Sequence, residues 1–130
     1  MARILIVDDN ADVRMTLREM LALGGHEVHE AGDGATGIAI ARTQAPDVAL
    51  IDIGLPVMDG YALAERLRQS WSGGKPVRMV AVTGYGLERD RERSARTGFT
   101  DHLVKPIELA VLDRLLKADD AGTGRAAAPT

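Results

Sequence analysis

The sequence contains no cysteine and few aromatic residues, and these shortages exclude several kinds of site. Without cysteine, the 130-residue chain has no disulfide, no thiolate metal ligand and no cysteine nucleophile. Only 3% of its residues are aromatic, so the base-stacking platforms of single-strand-binding proteins are nearly missing. The formal net charge is −3 and no basic tract occurs, which argues against a nucleic-acid partner.

The sequence also lacks an apolar run long enough to cross a bilayer, and its first residues show no signal peptide. The absence of cysteine fits a reducing compartment. We therefore expect a cytoplasmic protein that makes no membrane contact.

Apolar runs alternate with helical patterns five times along the chain. The predicted strands cover residues 4–7, 27–31, 48–51, 77–82 and 102–104. The helical patterns include an apolar face at Val13, Leu17, Met20 and Leu21, a helix capped by Asp33, and helices at 58–69, 87–96 and 107–117. Because strands joined by helices run parallel, the sequence predicts an α/β fold, a doubly wound (βα)5 sandwich with a five-stranded sheet.

The last predicted helix carries an apolar stripe at Ile107, Val111, Leu112, Leu115 and Leu116. Residues 119–130 have no periodicity. The sequence therefore predicts one domain over 1–118 and a disordered tail or linker over 119–130.

Polar side chains follow four of the five predicted strands. Asp8 and Asp9 follow the first strand and Asp52 follows the third. Thr83 follows the fourth strand and Lys105 follows the fifth. Because sites in doubly wound folds form at the carboxyl ends of parallel strands, we expect these five residues to meet at one edge of the sheet.

Three clustered carboxylates need a proton or a cation, since each ionised pair at ~5 Å costs about 3 kcal/mol at an effective dielectric constant near 20. Oxygen-only ligands favour a hard ion such as Mg²⁺. With the ammonium of Lys105 and the hydroxyl of Thr83, the set suits a phosphoryl group. Asp52 is single and central, so it is the best candidate for a nucleophile that forms an acyl phosphate, while Asp8 and Asp9 suit the metal.

Four motifs resemble the receiver domain of two-component response regulators. They are VDD at 7–9, DIGLPVMDG at 52–60, VTG at 82–84 and VKP at 104–106, in matching order and spacing over about residues 3–117. The segments TGYG at 83–86 and DHLVKP at 101–106 are most similar to those of receivers in hybrid sensor histidine kinases. The resemblance implies the flavodoxin-like, or CheY-like, strand order 2-1-3-4-5, for which this family is itself a type example.

By this resemblance, Asp52 accepts a phosphoryl group from a histidine kinase or a histidine phosphotransfer domain. Mg²⁺ is then held by Asp9 and Asp52, by the backbone carbonyl of Gly54, and by Asp8 through water. The resemblance also implies a signalling domain rather than an enzyme, although such a domain assists its own phosphorylation and dephosphorylation.

The resemblance assigns the conformational switch to Thr83 and the phosphate-binding cation to Lys105, with a cis bond from Lys105 to Pro106. One departure concerns His102, which stands where the family often has tyrosine or phenylalanine as the partner of the switch hydroxyl. The implied readout surface is the fourth helix, the fifth strand and the last helix, which leaves room for a homodimer through this face.

Two other classes of function stay open. An aspartate-nucleophile phosphatase would show the pattern DxDxT, but Gly54 stands where its second acid belongs. A degenerate receiver that only binds a partner would not need the complete set of acids, threonine and lysine.

Overall fold

The computed structural model describes residues 2–55, 59–70, 77–84 and 99–125. The strands are β1 (Arg3–Val7), β2 (Glu27–Ala31), β3 (Val48–Asp52), β4 (Arg78–Thr83) and β5 (Phe99–Val104). The helices within these ranges are α1 (Ala11–Leu23), α2 (Gly34–Gln44), α3 (Gly60–Ser70) and α4 (Leu109–Arg125). The helix predicted at 87–96 lies outside the described residues.

All five strands are parallel and form one sheet in the order β2-β1-β3-β4-β5. The predicted fold and strand order are therefore confirmed. Strand β3 lies in the centre and is buried at every position, as its apolar run indicated.

The two faces of the sheet carry separate cores because successive strand residues point to opposite faces. On one face, Leu5 and Ile51 pack with Leu63 of α3 and with Ala41 of α2. On the other face, the core joins β1 and β3 to α1 and α4 through Ile4, Leu50, Leu17 and Leu112. Each fully buried aliphatic side chain of this kind contributes about 1.5–3 kcal/mol, so the layers hold the strand ends in fixed positions.

Side-chain caps and one strained residue set the ends of the helices. The Asn10 side chain accepts hydrogen bonds from backbone N–H groups at the start of α1, and Asp33 does the same for α2 through Thr36. Asp59 accepts a hydrogen bond from the N–H of Ala62 in the first turn of α3. Helix α2 ends at Gln44, and its C-cap residue Ala45 has a positive φ of 45° that glycine would adopt without strain.

Strand β2 lies at the edge of the sheet and pairs with β1. Its polar side chains are engaged in ion pairs or hydrogen bonds. Glu27 lies 3.6 Å from Arg3, and His29 Nε2 lies 2.9 Å from Glu27. Glu30 contacts two arginines of α1. This strand is therefore polar along most of its length.

The structure corrects two details of the prediction. Strand β5 begins at Phe99 rather than at 102, and the register shift beside Met79 leaves Thr100 as an extra residue in it. In α4, Leu112 and Leu116 are buried but Val111 is 40% exposed. Val111 is one position, about 100° of helix rotation, away from Leu112 and so lies at the margin of the apolar stripe.

Helix α4 begins at Leu109 and runs to Arg125, past the predicted boundary at 118. The division into a domain over 1–118 and a tail over 119–130 stays a prediction.

Candidate functional site

The carboxyl edge of the sheet carries the polar residues singled out in the sequence. Asp52 is the last residue of β3 and Thr83 the last residue of β4, while Asp8 and Lys105 directly follow β1 and β5. The side chains of Asp8, Asp52 and Thr83 are almost completely buried, at 2%, 8% and 3% exposure for the whole residues. Three buried polar residues at one edge need partners, because desolvation of an unpaired polar group is costly.

Three carboxylates approach one another at this edge. Asp8, Asp9 and Asp52 each place one oxygen within 4.8 Å of the others. At such separations each ionised pair repels by about 3 kcal/mol at an effective dielectric constant near 20. Asp9 is exposed, whereas the other two are buried, so Asp9 is the acid that solvent reaches most easily.

The Lys105 ammonium bridges the two buried acids. Its Nζ lies 3.0 Å from Asp8 Oδ2 and 3.5 Å from Asp52 Oδ2. Burial lowers the pKa of Lys105, but the hydrogen bond with Asp8 and the negative charges of Asp52 and Asp8 outweigh it. The net effect raises the pKa of Lys105 above its ordinary value of 10.5. Lys105 is therefore charged at neutral pH.

The second oxygen of each buried acid is held by the backbone. Asp8 Oδ1 accepts a 2.9 Å hydrogen bond from the N–H of Asn10. Asp52 Oδ1 accepts one of the same length from the N–H of Gly54. In both residues Oδ1 thus faces a local N–H group and Oδ2 faces Lys105, which fixes the orientation of the two carboxylates.

A backbone hydrogen bond ties Thr83 to Lys105. The Lys105 N–H donates to the Thr83 carbonyl at 2.8 Å. The peptide bond between Lys105 and Pro106 is cis, as the resemblance implied. His102 pairs with Ala81 in the β4–β5 register and is partly buried. Thr83 and His102 therefore lie on neighbouring strands.

The donor set of this edge fits a hard divalent cation. It offers carboxylate oxygens from Asp8, Asp9 and Asp52 and places Gly54 directly beside Asp52. Mg²⁺ takes oxygen ligands, usually keeps several waters and is usually bound through one or two carboxylates, so the carboxylates of this edge are sufficient.

Gly60 is a site residue whose contact the sequence did not reveal. A Cβ atom at this position would lie 2.5 Å from Ile53 Cα and 2.7 Å from the carbonyl oxygen of Asp52. The Gly60 N–H also donates to the Ile53 carbonyl at 3.3 Å. Helix α3 therefore begins directly against the backbone that carries Asp52, and only glycine allows this approach.

The fold and this arrangement of acids and lysine define a phosphoryl-accepting class of signalling domain. The chain belongs to the response regulator receiver domain family, whose model matches residues 4–117. It is a CheY-like receiver domain of two-component systems, as the four motifs implied.

Several characterised proteins are similar to this chain. Protein PilH of Pseudomonas aeruginosa is 36% identical over 122 residues, which cover 94% of this chain and 100% of PilH. Sensor histidine kinase RcsC of Salmonella typhimurium is 34% identical over 113 residues, which cover 87% of this chain and 12% of RcsC. Relatives thus include a protein of similar length and a much longer kinase.

Solved structures agree with the fold. The chemotaxis protein CheY4 of Vibrio cholerae has a TM-score of 0.85 and 30% identity, covering 90% of this chain and 97% of CheY4. The receiver domain of a sensor histidine kinase from Pseudomonas aeruginosa has a TM-score of 0.80 and 34% identity, covering 89% and 94%. That structure holds a magnesium ion coordinated in the active site cleft.

Proposed function

We propose that Asp52 accepts a phosphoryl group from the phosphohistidine of a histidine kinase or a histidine phosphotransfer domain. A carboxylate oxygen of Asp52 attacks phosphorus, the P–N bond breaks, and the imidazole leaves with its electron pair and takes up a proton. The product is an acyl phosphate on Asp52. The observation that carries this proposal is the position of the Lys105 ammonium, 3.5 Å from Asp52 and 3.0 Å from Asp8.

Mg²⁺ is the proposed cofactor, held by Asp8, Asp9, Asp52 and the backbone carbonyl of Gly54. When bound, the ion neutralises negative charge on the carboxylates and on the phosphoryl oxygens. The donor chemistry of this edge supports the assignment. The magnesium ion in the related receiver structure also supports it.

Lys105 has a role of its own in this proposal. Its ammonium is already 3.5 Å from Asp52 Oδ2, so it can pair with a phosphoryl oxygen after a small movement. Thr83 then donates its hydroxyl to the phosphoryl group, and the partly buried His102 on the neighbouring strand adjusts to it. This coupling shifts an existing equilibrium between two conformations.

The partner surface is proposed to include β5 and α4. Val104, Leu109 and Val111 are 43%, 39% and 40% exposed on these elements. Their exposure supports a protein interface, including a homodimer, on the face that also includes the predicted helix at 87–96.

We further propose that this domain acts in the cytoplasm, contacts neither nucleic acid nor membrane, and is a phospho-acceptor rather than an enzyme with turnover. No helix in the described part of the chain is long and apolar enough to span a bilayer. The receiver itself occupies 1–118 in this proposal, and 119–130 form a tail or a linker.

Acetyl phosphate with Mg²⁺ tests the proposal without a cognate kinase. We expect an adduct of roughly 80 Da, the mass of one phosphoryl group, in intact-protein mass spectra. The adduct should be lost in Asp52→Asn and retained in Asp47→Asn. Asp47 is a matched control because it directly precedes β3, at the end of the strand opposite to Asp52. Hydrolysis of acetyl phosphate without an adduct would favour the phosphatase alternative, and no reaction would favour the degenerate receiver that only binds a partner.

A further inference from the structure

Arg14 of α1 reaches the acidic loop, residues 8–10 between β1 and α1, which carries Asp8 and Asp9. Its Nη1 donates a 2.7 Å hydrogen bond to the carbonyl oxygen of Asp8. Its Nε donates a 3.1 Å hydrogen bond to Glu30 Oε1 of β2. The Arg14 side chain is 21% exposed and that of Glu30 is 26% exposed. This partly buried, charge-assisted pair is stronger than a surface ion pair, because solvent screens it less.

The carbonyl that Arg14 contacts belongs to the peptide group between Asp8 and Asp9. The other groups of Asp8 are already engaged: its N–H donates to the Ala31 carbonyl at 3.1 Å, and its Oδ1 accepts from Asn10. Since Asp9 is exposed and follows this peptide directly, the orientation of the peptide determines where the Asp9 carboxylate lies. Arg14 therefore holds the peptide group that leads into Asp9.

The surroundings of Arg14 suit an arginine specifically. Two donors of one rigid guanidinium bind two acceptors on different elements, which the single ammonium of a lysine cannot reproduce. Gly32 leaves room for the group, because a Cβ at Gly32 would lie 3.2 Å from Arg14 Nη1. Glu30 is itself fixed from a second side by Arg18, whose Nη1 lies 3.0 Å from Oε2.

We propose that Arg14 is a positioning residue for the divalent-cation site, and that Glu30 anchors it. It holds the peptide between Asp8 and Asp9 in the orientation that presents Asp9 to the metal. This inference rests on the proposed function, since it assigns a role in the same site. It adds a link from the edge strand β2, through Glu30 and Arg14, to the acidic loop.

The test measures Mg²⁺ affinity by calorimetry with MgCl2 in the full chain. Outer contacts that orient metal ligands typically change metal affinity 10–100-fold when removed, so we expect Arg14→Gln to bind Mg²⁺ about tenfold more weakly. Arg14→Lys should recover part of the affinity. Arg18→Gln is the matched control, because it removes an arginine of the same helix and a bond to the same Glu30 but no contact with the acidic loop.

Two further readouts separate positioning from general stability. The Mg²⁺ concentration that gives half-maximal phosphorylation by acetyl phosphate should rise in Arg14→Gln, while the rate at saturating Mg²⁺ stays within about twofold of wild type. Amide hydrogen exchange at Asp9 and Asn10 should become faster. Gly32→Ala keeps Arg14 and its charge but crowds the guanidinium, and should weaken Mg²⁺ binding in the same direction by a smaller factor.

The outcomes are distinguishable from those of the proposed function. If wild type binds Mg²⁺ and Arg14→Gln binds it as tightly as Arg18→Gln does, the inference is overturned and the proposed function stands. If wild type binds no Mg²⁺, both are overturned. Should Arg14→Gln fail to fold, unchanged Mg²⁺ affinity in Gly32→Ala and Arg14→Lys would overturn the inference equally.

Discussion

Replacing Gly60 by alanine tests how the framework holds Asp52. The added Cβ would lie 2.5 Å from Ile53 Cα and 2.7 Å from the carbonyl oxygen of Asp52, whereas ordinary contacts begin at 3.4 Å. The shortfall at Ile53 is about 0.9 Å, from 3.4 minus 2.5. Both neighbours are backbone atoms, so no change of rotamer relieves the contact. Either α3 or the segment after β3 has to move.

Two effects of opposite sign determine the stability of this variant. Alanine favours helix over glycine by up to about 1 kcal/mol, which would stabilise the variant. Overpacking typically costs about 1–3 kcal/mol, and a backbone clash belongs at the upper end of that range. We therefore expect the free energy of unfolding to fall by about 2 kcal/mol. Because the displaced backbone carries Asp52, Mg²⁺ affinity should fall as well.

Urea unfolding followed by circular dichroism measures the change in the free energy of unfolding, and calorimetry with MgCl2 measures the change in Mg²⁺ affinity. Gly84→Ala is the control, because no described atom lies within 4 Å of a Cβ built at Gly84. We expect its stability to remain within about 0.5 kcal/mol of wild type. If Gly60→Ala is as stable as wild type or more stable, helix propensity outweighs the contact and the reasoning is refuted.

Three other predictions follow from the same structure. Lys105→Met should lower the free energy of unfolding in EDTA by about 2 kcal/mol, because buried carboxylates lose their counter-charge, and millimolar MgCl2 should restore part of it. The pKa of Lys105 is raised above 10.5, so the stabilisation by its charge is fully present below that pH. The difference in the free energy of unfolding between wild type and Lys105→Met, measured with urea, should therefore narrow as the pH rises beyond 10.5. Ala45→Gly should stabilise the chain by up to about 1 kcal/mol, since φ of Ala45 is 45°. The control Ala39→Gly, at an exposed position in the middle of α2, should destabilise the chain by a similar amount. Thermal unfolding midpoints in the reverse order would contradict this prediction. The hydrogen bond from the backbone N–H of Thr36 lowers the pKa of Asp33 below 3.8. Asp33→Ala should therefore lower the midpoint of unfolding at pH 7, and this effect should disappear as the pH falls through the lowered pKa. Equal losses of stability at pH 7 and pH 2 would contradict a charged cap.

The apolar runs were sufficient to predict the sheet. A strand that is covered on both faces is apolar at successive positions, so its sequence differs clearly from that of an exposed segment. Val48–Asp52 is the clearest case, being buried at all five positions. Polar residues at the ends of such strands stand out for the same reason. The meeting of Asp8, Asp52 and Lys105 at one edge then follows from the parallel direction of the strands. The order of the strands came from the family resemblance.

Other features could not be predicted because they depend on contacts between distant elements. The reach of Arg14 to the Asp8 carbonyl leaves no trace in local periodicity. The beginning of β5 was hidden because Asp101 reads as a turn residue, although it pairs with Arg78 at 2.6 Å inside the sheet. Val111 fits an apolar stripe by spacing, but the helix is rotated so that Leu112 faces the core.

The polar edge strand β2 has a consequence for handling the protein at high concentration. An uncovered strand invites a second molecule to add its own backbone, which is how fibrils grow. An incoming chain at this edge would have to strip water from Glu27 and Glu30 and displace their arginine partners. We therefore expect this border of the molecule to resist cross-β polymerisation.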